Sequence, residues 1–196
     1  MGERLRLKDL ENMYHMKKRE ELQRRLSDSF RKAGTDAREY GIETPEDLDV
    51  EFVPGIYRQG SWSGKYDGEQ ILVSGPSGPN YSVDSVISRG LLHAENTRRM
   101  GDEPQSSQVL KARGIETLYG LYREGLTSDR EKMGVALQQT RKMFNRNPAY
   151  PDRAGDAIAR VPADMVKLNG EIEKEEMKEI IDGFMAEVEE DYSQRR

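Results

Sequence analysis

Apolar residues in the first part of the chain recur every three or four positions, which is the spacing of one face of an α-helix. Leu22, Leu26 and Phe30 follow one another at steps of four, and mostly polar residues fill the positions between them. Gly34 comes directly after this pattern, and glycine is common just past the end of a helix. The pattern therefore predicts one long helix over residues 5–33.

Residues 52–73 instead carry short runs of β-branched and aromatic residues, which are typical of strands. The Asp67-Gly68 pair favours a type I′ turn, so this segment is predicted to form a β-hairpin. A two-stranded hairpin is only marginally stable alone and has to pack on other elements. Trp62 is its largest apolar side chain, and we expect it to anchor the hairpin in the core or at an interface.

Helical spacing returns after the hairpin and continues almost to the end of the chain. Ser82 and Ser128 are expected to cap two of the helices, and Gly114 and Gly120 are expected to permit close helix packing. The predicted helices cover residues 83–100, about 106–124, about 129–145, 162–168 and about 171–192. The predicted fold is mainly α (α+β), with about five to six helices and one β-hairpin around residues 52–73.

Composition divides the chain into four predicted segments. The stretch "NRNPAYPDRAGDA", at residues 145–157, is rich in proline, asparagine and aspartate, which interrupt helices. We therefore predict a long N-terminal helix, a hairpin with a helical core, a Pro-rich arm or linker, and an acidic C-terminal amphipathic helix. In that order, they cover residues 1–34, 35–145, 146–170 and 171–196.

Charged residues make up 34% of the 196 residues and hydrophobic residues only 35%. An ordinary globular domain has about 25% charged residues. The balance predicts a small core and long helices with solvated faces. The chain has no cysteine, which excludes disulfides, thiolate metal ligands and cysteine nucleophiles.

The chain also lacks the apolar runs that direct proteins to membranes. No run approaches the roughly 18 apolar residues of a membrane span. The N-terminal stretch "MGERLRLKDLENMYH" has no apolar region of the kind found in signal peptides. We expect a soluble protein, in the cytoplasm or within a particle, that has no membrane partner.

The net charge of −5 conceals three blocks of opposite sign. Residues 17–32 hold seven basic and three acidic residues, a net of +4. Residues 35–56 have a net charge of −6 and residues 171–191 a net charge of −8. The basic block is either a solvated helix face with internal ion pairs or a surface for phosphates or an acidic partner. It is also able to pair with the acidic blocks, within one chain or between copies.

The residues predicted to make interactions come from the basic block, the hairpin, the following loop and the apolar stripe of the last helix. They are Lys17, Lys18, Arg24, Arg25, Trp62, Tyr81, Ile180 and Phe184. An isolated amphipathic helix is unstable, so the last helix is expected to dock on this chain or on a partner.

The stretch "VSGPSG" resembles the opening of the phosphate-binding loop in guanylate-kinase-like proteins. Such a loop needs a second glycine and a lysine, and this chain has Asn80 and Tyr81 at those two positions. Pro79 also removes a backbone N–H that would contact phosphate. We therefore expect a connector rather than a nucleotide site, with no cofactor, and any further role as an exposed contact through Asn80 and Tyr81.

The stretch "LLHAENTRRM" resembles the zinc helix of zincin-type metallopeptidases. That helix carries H-E-x-x-H, and after His93 this chain has Ala94 and Thr97 where the glutamate and the second histidine belong. "HAE" is also similar to the first half of the zinc deaminase signature, but the second half needs cysteines. We therefore expect no metal and no catalytic residues, and we keep a degenerate zincin-like or other hydrolase around His93 as an alternative.

These observations favour a non-catalytic structural or assembly subunit of a larger multi-subunit complex. A virus-particle protein, either capsid-associated or a connector, is one setting that fits. The expected partners are copies of the chain and other subunits, because segregated charge suits docking between subunits. A nucleic-acid-associated factor that uses the basic block is the main alternative, and a regulatory binding module is another.

Overall fold

The computed structural model describes residues 4–45, 47–54, 64–75, 81–101 and 106–193. Within these ranges it has seven helices and one three-stranded mixed sheet, which confirms the predicted mainly α (α+β) class but exceeds the predicted number of helices and strands. The elements are α1 (Leu7–His15), α2 (Arg19–Arg38), β1 (Asp49–Phe52), β2 (Gly64–Tyr66), β3 (Gln70–Val73), α3 (Val83–Met100), α4 (Ser106–Glu124), α5 (Arg130–Asn145), α6 (Ala154–Asn169) and α7 (Lys174–Ser193). None of the helices in these ranges is apolar and long enough to span a membrane.

The predicted single N-terminal helix is wrong, because residues 16–18 separate α1 from α2. Lys17 has a positive φ of 57°, and its N–H donates to the carbonyl of Tyr14 at 3.0 Å. A left-handed residue other than glycine costs about 1–2 kcal/mol. The break lets the apolar stripes of both helices reach the core, where Leu10 and Leu26 are fully buried. This burial outweighs the local strain.

The N-terminal end of α1 is tied to the start of α3. The N–H of Leu7 donates to the carbonyl of Tyr81 at 3.1 Å, and the N–H of Val83 donates to the carbonyl of Leu5 at 2.9 Å. Arg6 and Ser82 form an isolated antiparallel bridge between these two bonds. The start of α1 is therefore held by backbone as well as by its apolar face.

The hairpin is present as β2 and β3, and β1 adds a third strand that the sequence pattern did not predict. The strand order is β1-β3-β2, with β1 parallel and β2 antiparallel to β3. Val50 and Phe52 of β1 are buried, whereas Asp49 and Glu51, which alternate with them, are exposed. This alternation is a strand signal, but it covers only four residues within the acidic block. Trp62 lies outside the described residues.

The predicted type I′ turn at Asp67-Gly68 is also wrong, because the turn is centred one residue later. The N–H of Asp67 donates to the carbonyl of Gln70 at 3.2 Å, which places Gly68 and Glu69 at the two central positions. Gly68 has a φ of +115°, but Glu69 does not have the positive φ that a type I′ turn requires. The carboxylate of Asp67 accepts the backbone N–H groups of Glu69 and Gln70, which fixes Asp67 as the flanking residue.

Helix α3 lies at the centre of the fold and has the predicted bounds. It packs on the sheet on one side and on α2, α4 and α7 on others. A β-carbon at Gly90 would lie 2.6 Å from Cγ2 of Ile71, so glycine lets α3 lie close to β3. Ser82 caps the helix as predicted, since its hydroxyl oxygen accepts the N–H of Ser85 at 3.3 Å.

Residues 154–169, assigned to the predicted arm, form α6 and pack against α4 and α5. Pro162 lies inside α6 and has no N–H to donate to the carbonyl of Ile158 one turn earlier. Gly114 of α4 faces this point, where a β-carbon would lie 3.1 Å from the carbonyl oxygen of Ile158 and 2.5 Å from Cβ of Val161. Glycine at position 114 therefore lets α4 pack closely over the carbonyl that the proline leaves without its usual helical partner.

The cap of α5 differs from expectation, whereas the packing of α7 agrees with one of its two predicted alternatives. Asp129, not the predicted Ser128, caps α5, because its carboxylate accepts the N–H of Lys132 at 3.0 Å. Helix α7 packs on α3 and α4 of the same chain. Phe184 is 3% exposed in this interface, and Ile180 packs against the same core. Of the two predicted alternatives for α7, the structure shows packing on its own chain.

Candidate functional site

Within the described residues, no ion pair joins the acidic block of residues 35–56 to the basic block. Three of its carboxylates instead reach cations on α3, α4 and α7, which joins the end of α2 and the following segment to the helical core. The ion pairs are Asp36 with Arg123, Glu39 with Lys174, and Glu43 with Arg98. Part of the acidic block is therefore neutralised within the chain by residues outside the basic block.

The second half of the basic block is paired as well. Lys32 lies 2.6 Å from Asp84 at the start of α3, and Arg31 lies 3.6 Å from Asp28 of its own helix. The Lys32 pair links residues 52 positions apart, which a sequence pattern cannot reveal. These contacts fit the solvated-face interpretation for this half of the block.

The first half of the block forms an exposed basic corner at the turn between α1 and α2. We define the basic corner as Lys17, Lys18, Arg24 and Arg25. Lys18 makes one ion pair, at 3.7 Å, with Glu21. The other three side chains make no ion pair within the described part of the chain. Met16 beside them is 64% exposed, so the corner combines cations with an apolar side chain.

Helix α7 carries an exposed acidic face near its N-terminal end. We define the acidic face as Glu175, Glu179 and Asp182, which lie on one side of the helix because they are separated by four and three positions. None of them forms an ion pair with the residues that the structure describes. Farther along α7, Glu187 pairs with Lys111 and Glu189 pairs with Arg99. The first part of α7 therefore presents carboxylates without ion pairs among the described residues, and Lys178 lies on the same side of the helix, three residues from Glu175 and four from Asp182.

The basic corner and the acidic face lie toward opposite ends of α2. Lys174, next to the acidic face, pairs with Glu39 just after α2, whereas the basic corner is at the start of α2. Arg24 and Glu39 are 15 residues apart, which corresponds to about 22 Å along a helix. The two surfaces therefore do not neutralise each other within one chain.

A buried polar cluster joins α3 to α4. Glu116 is fully buried and accepts hydrogen bonds from Asn96 at 2.8 Å and from Arg113 at 2.7 and 2.9 Å. Arg113 also donates to the hydroxyl of Tyr150, in the turn before α6, at 3.1 Å. Apolar spacing does not predict this cluster, because its members are polar. The available signal was the Arg113–Glu116 pair at a spacing of three on a helix.

His93, the centre of the hydrolase alternative, lies beside this cluster and is 8% exposed. Its Nδ1 is 3.8 Å from a carboxylate oxygen of Glu116. Burial, and then the positive charges of Arg113, Arg89 and Lys65, hold the pKa of His93 well below its usual range. Within the described residues there is no group of three or more histidine, aspartate or glutamate side chains that could hold a metal ion.

Glu124 occupies the N-terminal end of α3, where a phosphate would lie in a phosphate-binding loop. Its carboxylate accepts the N–H and the hydroxyl of Ser82 at 2.9 and 2.6 Å, and the hydroxyl of Ser85 at 2.8 Å. Arg6 completes this arrangement with an ion pair to Glu124. The arrangement is a structural link between α1, α3 and α4.

Tyr81 precedes this cap and is half-buried, with its ring packed against the core. Burial raises the pKa of its hydroxyl. Asn80, its predicted partner in an exposed contact, lies outside the described residues.

The chain was compared with protein-family models, curated proteins and solved structures, and none matched.

Proposed function

We propose that this chain is a non-catalytic structural subunit that docks by charge onto other protein subunits of a larger assembly. One observation carries the proposal. Several ion pairs neutralise charged segments within the chain, whereas two surfaces of opposite sign, the basic corner and the acidic face, are largely without ion pairs among the described residues and lie toward opposite ends of α2.

Such surfaces are unfavourable in an isolated chain. Glu175 and Glu179 are like charges one helical turn apart, and pairs of this kind destabilise a helix by about 0.2–0.5 kcal/mol. A partner that supplies the opposite charge removes this repulsion. Single exposed ion pairs contribute about 0–1 kcal/mol, so affinity has to come from several pairs together with apolar contact. Complementary charge mainly speeds association and selects the partner.

A virus particle is one setting for such a subunit, as a capsid-associated or connector component. The partners would be copies of this chain and other subunits of the particle. In that case the protein acts in the cytoplasm during assembly and then remains within the particle.

Size-exclusion chromatography with light scattering tests the proposal when it is run at two salt concentrations. We expect masses above that of one chain at about 50 mM NaCl and dissociation at about 500 mM NaCl, where screening is much stronger. Imaging of the native particle should show many copies of the chain. A monomer at every concentration and salt, found in no larger complex in its source, would rule the proposal out.

A second candidate function is a nucleic-acid-associated factor, which the exposed cations of the basic corner favour. Phosphate contacts would make the affinity fall steeply with salt. DNA and RNA binding should be measured at low and moderate salt, with the wild type and with all four residues of the basic corner reversed to glutamate. Binding that is undetectable at low salt, or that survives the reversal, would exclude this function.

A further inference from the structure

We propose that the basic corner of one copy docks against the acidic face of α7 on a second copy. The proposal rests on the assembly function proposed above and specifies the partner and the contact. It follows from the position, spacing and surroundings of the two surfaces.

The two surfaces have matching lengths. Lys18 and Arg25 are seven residues apart, which is about 10 Å along α2. Glu175 and Asp182 are also seven residues apart on α7. Two helix segments of equal length and opposite charge are able to lie side by side with several ion pairs formed at once.

The basic corner also has an apolar side chain for the contact. Met16, 64% exposed, adjoins the basic corner. Ile180 of α7 lies about 100° around the helix from Glu179 and packs against the core of its own chain, so it is not part of the acidic face. Contact made by Met16 would add apolar burial to charge pairing.

The contact joins two different surfaces of the molecule. Because about 22 Å of helix separates Arg24 from Glu39, one copy cannot close the contact on itself. Every copy offers one basic corner and one acidic face. Two copies can therefore pair both surfaces reciprocally about a two-fold axis, or the contact can repeat from copy to copy into a ring or an open filament.

A second copy fits the observations better than a nucleic acid. A nucleic acid would engage only the basic corner, and the acidic face would stay unneutralised. The chain also has a net charge of −5, which repels a polyanion over the whole surface. A second copy satisfies both surfaces with one type of contact.

Charge reversal tests the contact directly. Variant one carries R24E and R25E, variant two carries E175K and E179K, and a third variant carries all four substitutions. Reversing Arg130 and Lys142 to glutamate, on the exposed side of α5, gives a control with the same charge change as variant one. Circular dichroism confirms that each variant folds, and sedimentation velocity at low salt measures association.

We expect the self-association of variant one alone, and of variant two alone, to be weakened by about tenfold or more. In each of them the basic corner and the acidic face no longer carry opposite charges at the substituted positions. Mixed together they should associate again, and the four-substitution variant should associate by itself. The α5 control should behave as the wild type does.

Three results would overturn the contact. The first is wild-type association that persists in variants one and two, which would leave the assembly function standing with a different interface. The second is failure of both the mixture and the four-substitution variant to associate. The third is association of the wild type only when nucleic acid is added, with loss in variant one alone. A wild type that is monomeric and enters no complex would overturn the contact together with the assembly function.

Discussion

Replacing Gly114 by alanine should destabilise the fold by forcing α4 away from α6. A β-carbon at this position would lie 2.5 Å from Cβ and 2.6 Å from Cγ2 of Val161. Carbon atoms in favourable contact are about 3.5–4.0 Å apart, so the overlap is about 1 Å. Neither Cβ of Val161 nor the carbonyl of Ile158, 3.1 Å away, is the flexible end of a side chain. The two helices would have to separate by a similar distance.

Two effects of opposite sign determine the size of the change. Alanine is favoured over glycine inside a helix by about 0.8–1.0 kcal/mol. Overpacking a closely packed core costs about 1–3 kcal/mol, and occasionally more. Because α4 and α6 share an extensive interface, we take the upper part of this range. The net loss for G114A is then about 2 kcal/mol, which lowers Tm by about 4–8 °C in a chain of this size.

Urea and thermal unfolding followed by circular dichroism measure this loss. Gly134 of α5 is the matched control, because nothing lies within 4 Å of a β-carbon built there. G134A should therefore raise stability by up to about 1 kcal/mol. In a V161G background, G114A should cost less than it does in the wild type. A G114A protein as stable as the wild type, or more stable, would show that the interface has room and that this reasoning is wrong.

Other substitutions probe the buried polar groups. Burial and nearby cations hold the pKa of His93 well below its usual value of 6.5, so the unfolded chain takes up the proton first as the pH falls through about 6.5. Stability should therefore decrease from about pH 7 to about pH 5, and H93Q should reduce this slope in urea unfolding at several pH values. R113M leaves the fully buried Glu116 without its cation and should cost about 3–5 kcal/mol, while R113M combined with Glu116→Leu should cost less, both measured by urea unfolding. S82A removes the α3 cap and a hydrogen bond to Glu124 and should lower the free energy of unfolding by about 1–2 kcal/mol; an unchanged Tm would contradict this role.

The sequence predicts well those elements in which one local signal agrees with the packing. Helix α3 has the predicted bounds, since its apolar period and the Ser82 cap both mark its start. The position of Gly114 at a close approach was also expected from its place in a helical pattern. In these cases the local residues that predict the element also stabilise it.

The wrong predictions occur where tertiary contacts outweigh the conformational preference of the local residues. The turn between α1 and α2 contains neither glycine nor proline, and Lys17 adopts a left-handed conformation that its type disfavours. Pro162 predicts the start of a helix but lies inside α6, which packs against α4 and α5. Neither outcome has a signal in the neighbouring residues.

The candidate surfaces were only partly predictable for the same reason. Counting charges finds the blocks, but which charges remain unpaired depends on contacts such as Lys32 with Asp84, far apart in the sequence. The predicted residues Lys17, Lys18, Arg24 and Arg25 lie in the first half of the basic block, and among these four Lys18 alone forms an ion pair with the described residues. The acidic residues of α7 could not be divided into paired and unpaired groups before its packing was known.

The backbone ties at the start of α1 affect how the molecule opens. Chain ends usually fray, and their amide hydrogens exchange quickly with solvent. Here the N–H of Leu7, at the start of α1, donates to the carbonyl of Tyr81, and the N–H of Val83, at the start of α3, donates to the carbonyl of Leu5. Helix α3 is the helix on which α2, α4 and α7 pack. Exposing either amide therefore requires the start of α1 to separate from the start of α3, so both should exchange more slowly than the amides of a fraying end. The backbone of the first helix is in this way tied to the helix at the centre of the fold.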